Sequence, residues 1–251
     1  MVDENAGDAK GLALVEYLLR NRKNALTRLQ GDGDFRTPEC IEMLKEADII
    51  VTNPLFSLFR EYVAQLMEYD KKFLIVGNLN AITYKEIFPL MKGNKLWCGY
   101  GFSGGNAFFK TTVNREFADG VYNSETGLVK FRNVHWFTNL DHTKRHEEMT
   151  LWKPYRPEEF QKYDNYDAIE VSKLQDIPKD YNGAMGVPIT FLDKYNPEQF
   201  EIIGLANDKR DDNEVFIKGK ATYLDEQHKS FVGMVLNGKA TYARILIKKK
   251  K

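Results

Sequence analysis

The chain has 251 residues, 43% of them hydrophobic and 13% aromatic, which is enough apolar side chain for one large packed domain or two small ones. Its 36 Lys and Arg are matched by 36 Asp and Glu, which excludes a global basic field as the means of attracting nucleic acid or a membrane surface and leaves any polyanion contact to a local patch. With Cys40 and Cys98 as the only cysteines, an acidic start (MVDENAGDAK) unlike a secretory signal, and no apolar run long enough to span a bilayer, the expectation is a reducing, cytoplasmic setting and neither export nor membrane insertion.

In chain order, Gly11 to Leu29 carries Leu12, Val15, Leu18, Leu19, Ala25, Leu26 and Leu29 on a roughly helical period, with a polar interruption from Asn21 to Asn24. A Gly31-Asp32-Gly33-Asp34 turn follows. Thr37 before Pro38 and Glu39 then signals a helix start, because the threonine oxygen caps free amides and proline suits the first helical position; that helix is expected to reach about Ala47. Asp48 to Thr52 is a short β-branched apolar run that reads as a central strand buried on both faces, ending at Asn53-Pro54. Phe59, Tyr62, Val63 and Leu66 recur at helical spacing, with Ser57 as a candidate cap. Lys72 to Gly77 reads as another buried strand, Tyr84 to Met91 as a helix containing Pro89, and Lys95 to Cys98 as a third strand. Strand, helix, strand, helix, strand is the grammar of an α/β fold with a mostly parallel sheet, whose ligands lie beyond the carboxyl ends of the strands.

From Gly99 the pattern changes to glycine turns and aromatic alternation. Ala107 to Lys110 and Val129 to Arg132, with Val134 and Trp136 beyond, suggest hairpins; His142 to Pro178 reads as an irregular connection. Strand-like pieces return at Phe200 to Ile203, Val215 to Lys218, Phe231 to Leu236 and Thr241 to Ile247, and Asn237-Gly238 is a strong hairpin-turn signal.

The sharpest local feature is Asn53-Pro54-Leu55-Phe56, between a strand and an amphipathic helix. It resembles the (Asp/Asn)-Pro-Pro-(Tyr/Phe) signature of amino-group methyltransferases, which occupies the same junction. The chemistry accounts for these residue types. An exocyclic adenine amine is a poor nucleophile because its lone pair is delocalised into the ring, and accepting its two N–H groups on a side-chain oxygen and a backbone carbonyl favours the localised, reactive form. An extruded base also needs a flat apolar surface in place of its lost stacking, worth about 1–3 kcal/mol per base. Asn53 and Pro54 are the candidate acceptors and Phe56 the candidate surface.

A longer resemblance supports the short one. GDGDFRTPECIEMLKEADIIVTNPLFSLFREYV, KKFLIVGNLNAITYKEIFP, GVPITFLDKYNPEQFEIIG and NGKATYARILI look like segments of the EcoRI-type adenine-specific DNA methyltransferase family, covering about residues 29 to 248. The resemblance implies a Rossmann-like methyltransferase core over residues 1–106 and a β-rich target-recognition region over 107–251. It further implies methyl transfer from S-adenosylmethionine to adenine N6 in double-stranded DNA, with the target base flipped, in a restriction-modification system. In such enzymes an acidic residue beside an aromatic one, after an earlier strand, holds the adenine of the cofactor. Asp34 with Phe35 is the best positional match, and Asp32 competes with it. The sequence departs from the family pattern in two places. Leu55 stands where the signature has a second proline, and the usual upstream strand and glycine loop are not read before Asp48, so the chain resembles an N-terminally shortened member. Phe102-Ser103-Gly104-Gly105 is a candidate glycine loop in a permuted order.

The aromatic and basic stretch from Phe108 to Arg145 offers Lys110, Arg115, Lys130, Arg132 and Trp136 as DNA contacts. A non-catalytic DNA-binding relative without a cofactor pocket is the alternative. Plainer structural roles compete throughout: an Asx turn for Asn53, a core aromatic for Phe56, turn and cap residues for Asp32 and Asp34, and solvated lysines on core strands for the basic stretch. His142 and His146 lack a nearby third ligand, so no metal site is expected.

Overall fold

A computed structural model describes residues 29–101, 106–110, 117–206 and 233–250. The sequence-predicted helix before Leu29, the Phe102 to Gly105 loop, Arg115, the Val215 to Lys218 strand and the start of the Phe231 to Leu236 strand lie outside them. The chain divides into two units, Met1–Ala47 and Asp48–Lys251.

In the first unit, helix α1 (Pro38–Glu46) begins where the sequence places it. Thr37 is the N-cap, its Oγ1 accepting from the Cys40 amide at 3.4 Å, and proline opens the first turn. Glu39 reaches back to accept from the Gln30 amide at 3.0 Å and the Gly31 amide at 3.1 Å, which ties the incoming chain to the helix start. Lys45 near the other end suits the negative end of the helix dipole.

The second unit contains mixed α/β structure. Its first sheet is built from β1 (Ile49–Thr52), β2 (Lys72–Asn78), β3 (Trp97–Cys98) and the later strand from Val134 to Thr138, in the order β1, β2, Val134–Thr138, β3. Only β1 and β2 pair in parallel within it; the Val134–Thr138 strand runs antiparallel to both its neighbours. The expected mostly parallel sheet is therefore mixed, because a strand from the aromatic region inserts where local sequence gives no hint of a partner. β1 is an edge strand, not a central one. Ile49 is 51% and Val51 64% exposed, since β-branched apolar residues favour strands wherever those strands stand in the sheet.

Between β1 and β2 runs helix α2 (Phe59–Glu68), which buries Phe59, Val63 and Leu66 on one stripe. Burying each such side chain contributes about 1.5–3 kcal/mol. Ser57 does not cap it. The residue lies inside a 3-10 turn, Phe56–Leu58, that feeds directly into α2, so the first helical amides are met by backbone carbonyls and no side-chain cap forms. The Tyr84 to Met91 helix shrinks to α3 (Phe88–Lys92) with Pro89 in its first turn, the position that proline tolerates.

Beyond β3 come β4 (Asn106–Lys110), β5 (Tyr122–Asn123), β6 (Leu128–Arg132) and β7 (Val134–Thr138), the inserted strand of the first sheet. β4, β6 and β5 form a small antiparallel sheet in that order. The connection from His142 to Pro178 is largely irregular, as expected, apart from short 3-10 turns and β8 (Ala168–Glu170). A second four-stranded sheet joins β8, β9 (Ala184–Pro188), β10 (Phe200–Ala206) and a last strand, Arg244–Lys249, in the order β10, last strand, β9, β8. Glu170 is buried in it but paired. Arg244 Nη2 lies 2.9 Å from its Oε1, and the Tyr163 hydroxyl donates to it. Asn237-Gly238 makes the expected turn, with φ of +51° and +71° at its two central residues, but it joins β11 (Val235–Leu236) to β12 (Lys239–Ala240) and not to the expected Thr241 to Ile247 strand; that strand, β13 (Arg244–Lys249), pairs with β10 and β9.

Candidate functional site

The first sheet has two faces, and strand alternation decides what each presents. Phe73, Ile75 and Gly77 of β2, with His135 and Phe137 of β7, point to the face covered by α2, where the Phe59 and Phe137 rings meet edge to face at 5.0 Å. A side chain at Gly77 would place its Cβ 2.5 Å from Phe59 Cε2, so only glycine fits beneath that ring pair. Leu74 and Val76 of β2, with Val134 and Trp136 of β7, point to the opposite face.

The β4–β6 hairpin packs there. Cross-strand pairing puts Ala107 with Phe131 and Phe109 with Val129, four residues on one face of the hairpin. Ala107 is buried with Val76 and Val134, while Trp136 is packed against that cluster. Farther out, the Phe109 and Phe131 rings meet edge to face at 5.5 Å and stay 51% and 43% exposed. The other hairpin face pairs Phe108 with Lys130 and Asn106 with Arg132, and Lys130 Nζ lies 5.9 Å from the centre of the Phe108 ring.

Between the sheet and the hairpin lies a cavity of about 660 Å³ at the carboxyl end of β1. Asn53, Pro54, Leu55 and Phe56 line it from the junction after β1, Val76, Val134 and Trp136 come from the sheet, and Phe109, Phe117, Val129 and Phe131 come from the hairpin region, with Lys110. Mostly apolar walls with few polar groups are typical of small-molecule pockets, and the volume is within their usual range of roughly 300–1,000 Å³.

Asn53 follows the last residue of β1, and its side chain makes no hydrogen bond among the described residues. The Pro54 carbonyl is likewise unused there, whereas the next carbonyl, Leu55 O, accepts from the Leu58 amide at 2.9 Å to close the 3-10 turn. The Asx turn that would have made Asn53 a simple strand terminator is absent. Phe56 is 40% exposed and so is not the core aromatic that the plainer reading expected. Asn53, Pro54 and Phe56 thus meet at one cavity.

Asp34 and Phe35 belong to the turn before α1. The Asp34 carboxylate accepts from the Arg36 amide at 2.9 Å and from the Arg36 guanidinium at 2.9 and 2.6 Å. Those bonds hold its pKa down to about 2. Asp32 Oδ1 accepts from the Asp34 amide at 3.1 Å. Both carboxylates thus serve the turn, and Asp34 is engaged by the Arg36 guanidinium.

Lys110, Lys130 and Arg132 come together on the hairpin, but Trp136 does not join them on an outer surface. It is half-buried in the cavity wall, because its parity on β7 directs it to that side of the sheet. Reasoning from the sequence missed Phe109, Phe117 and Phe131 as cavity residues; the alternation in Ala107-Phe108-Phe109 and Val129-Lys130-Phe131 was the available signal. On the far face of β7, His135 Nε2 lies 2.9 Å from Asp193 Oδ1, which Lys144 Nζ also reaches at 2.5 Å. Burial alone would raise the Asp193 pKa, but the bonds from His135 and Lys144 override it and hold it at about 2. Burial pushes the Cys98 thiol well above its ordinary range. Among the described residues there is no cluster of three metal-ligating side chains and no helix long and apolar enough to cross a membrane.

The family described as adenine-specific methyltransferase EcoRI matches residues 2–250. The chain is 48% identical over 258 residues to the type II methyltransferase M.EcoRI of Escherichia coli, covering 97% of this chain and 72% of that relative. It is 38% identical over 252 residues to the type II methyltransferase M.MgeORF184P of Mycoplasma genitalium, covering 93% and 74%. With the type II methyltransferase M.MpnI of Mycoplasma pneumoniae it shares 39% over 236 residues, covering 88% and 70%. No solved structure matches the chain.

Proposed function

Because the chain belongs to the adenine-specific methyltransferase EcoRI family, we propose that it methylates the N6 amine of an adenine flipped out of double-stranded DNA, as the cytoplasmic modification activity of a restriction system. S-adenosylmethionine is the methyl donor in this reading and supplies a methyl group made electrophilic by its sulfonium. The observation that carries the proposal is the pair of unused acceptors, Asn53 Oδ1 and Pro54 O, beside an aromatic cavity larger than a purine.

Asn53 Oδ1 and the Pro54 carbonyl accept from the two N6 hydrogens, which draws the amine away from conjugation with the ring and sharpens its lone pair as the nitrogen becomes tetrahedral. Phe56 stacks on the base and replaces the neighbouring bases it stacked on within the duplex. In direct transfer N6 takes the methyl group as its bond to sulfur breaks, which would leave the donor as a neutral thioether, and the methylated amine then loses one proton to solvent; no covalent enzyme intermediate is needed. Asp34 and Phe35 would hold the adenine of the donor in this proposal, with Arg36 giving up its bonds to the carboxylate. Lys110, Arg115, Lys130 and Arg132 contact DNA, where the hairpin cations neutralise phosphates. Trp136 contacts the flipped nucleotide from the cavity wall. Residues 1–106 act as the Rossmann-like catalytic core and 107–251 as the target-recognition region.

Asn53→Ala should abolish methyl transfer to DNA while leaving DNA affinity within about threefold. Methylation at the wild-type rate would remove Asn53 from the chemistry. Asn53→Asp keeps a side-chain acceptor and should retain measurable turnover.

A further inference from the structure

We propose that Phe131, supported by Phe109, is the second wall of the base pocket, so that the flipped adenine is clamped between Phe56 on one side and the hairpin rings on the other. The inference rests on the methylation proposed above and adds positioning residues that the Asn53 to Phe56 junction does not contain. A flipped purine has two π faces, and Phe56 can cover only one of them. The opposite face would remain in water unless the protein supplied a second apolar surface, and it is the loss of stacking on both sides that makes extrusion unfavourable.

The hairpin supplies that surface through its parity. Ala107 and Val129 are buried, and the two phenylalanines sharing their face are directed to the same side of the hairpin. Phe109 and Phe131 both line the cavity that contains Phe56. Their edge-to-face contact at 79° between ring planes holds the two rings against each other, and yet each remains about half exposed. Two adjoining half-exposed phenylalanines facing a cavity form a contiguous apolar patch, which marks a binding surface more than scattered apolar exposure does. A base fits both its size and its chemistry, because every base offers a π face and the unused acceptors line the same cavity.

The test uses the full chain and a duplex containing an adenine that the wild-type protein methylates, found by sequencing modified DNA. Phe131→Ala should lower kcat roughly ten- to hundredfold, in keeping with the loss of base stacking, with DNA affinity changed less than about threefold. Phe131→Trp should restore most of the activity, whereas Phe131→Leu, which keeps apolar volume without a flat face, should not. Replacing the target's partner base with a mismatch, which weakens pairing before extrusion, should recover at least fivefold for Phe131→Ala and nothing for Asn53→Ala. A purely structural lesion would not respond to that mismatch. If wild type methylates and Phe131→Ala and Phe109→Ala both stay within twofold of it, the clamp is overturned while the methylation reading stands. A wild-type protein that methylates no DNA adenine removes both.

Discussion

Two neighbouring strand ends do opposite things with the same residue type. β1 and β2 run in parallel; Asn53 follows the last residue of β1, with Pro54 and Leu55 between it and a 3-10 turn, while Asn78 is both the last residue of β2 and the cap of the 3-10 turn that follows. At β2, Asn78 Oδ1 accepts from the Asn80 amide at 2.9 Å and closes the turn on itself. At β1, Pro54 follows the asparagine, and no equivalent bond forms among the described residues. One junction satisfies its own polar groups; the other leaves an oxygen pair for something that arrives. The adjacent packing differs too. Gly77, just before Asn78, lies under two rings, whereas Leu55, just after Pro54, is 70% exposed. A turn that is self-satisfied adds stability, and one that is not is available for recognition.

This contrast can be broken by exchanging the effects of the two asparagines. Asn53→Ala should reduce methyl transfer by several orders of magnitude with a thermal midpoint close to wild type, while Asn78→Ala should keep turnover within twofold; equal activity losses would erase the distinction. The packing side is sharpened by Gly77→Ala, whose added methyl group has no room against Phe59. Overpacking of this kind costs about 1–3 kcal/mol, readable as a lower denaturant midpoint. Asn78→Ala itself should cost about 1 kcal/mol, the net worth of one turn hydrogen bond, measured in the same titration.

A smaller, pH-dependent effect lies behind the cavity wall. The Asp193 pKa of about 2 is below the ordinary value of 3.8, so its contribution to stability is complete above about pH 5 and is lost as pH falls through about pH 2. Thermal melts between those limits should show a shallower decline for Asp193→Asn than for wild type. Identical slopes would disconnect the aspartate from the packing around His135.

The Asn53 junction, the Asn237-Gly238 turn, the cap at Thr37 and the Phe59 to Leu66 stripe could be read from local sequence because each depends on residues close together in the chain. The partners of the strands could not. β7 enters between β2 and β3 through pairing with residues about 60 positions away, and with it Trp136, expected only as a DNA contact, comes to the cavity wall. β8 and β9 are short and were missed altogether. β1 carried a burial pattern that the sequence could not distinguish from that of a central strand. In the hairpin, the letters disclosed aromatic and basic residues together, but only pairing across β4 and β6 separates Phe109 and Phe131 from Phe108 and Lys130.

That separation also limits how the hairpin can change in evolution. Inserting or deleting one residue in β6 while β4 keeps its place would exchange which side chains point inward, replacing a ring with an ammonium group at the cavity. Lengthening or shortening by two would preserve the lining. Where this arm reads the target, as proposed above, divergence in target preference is expected to come through even-numbered changes in its strands, leaving the wall behind them intact.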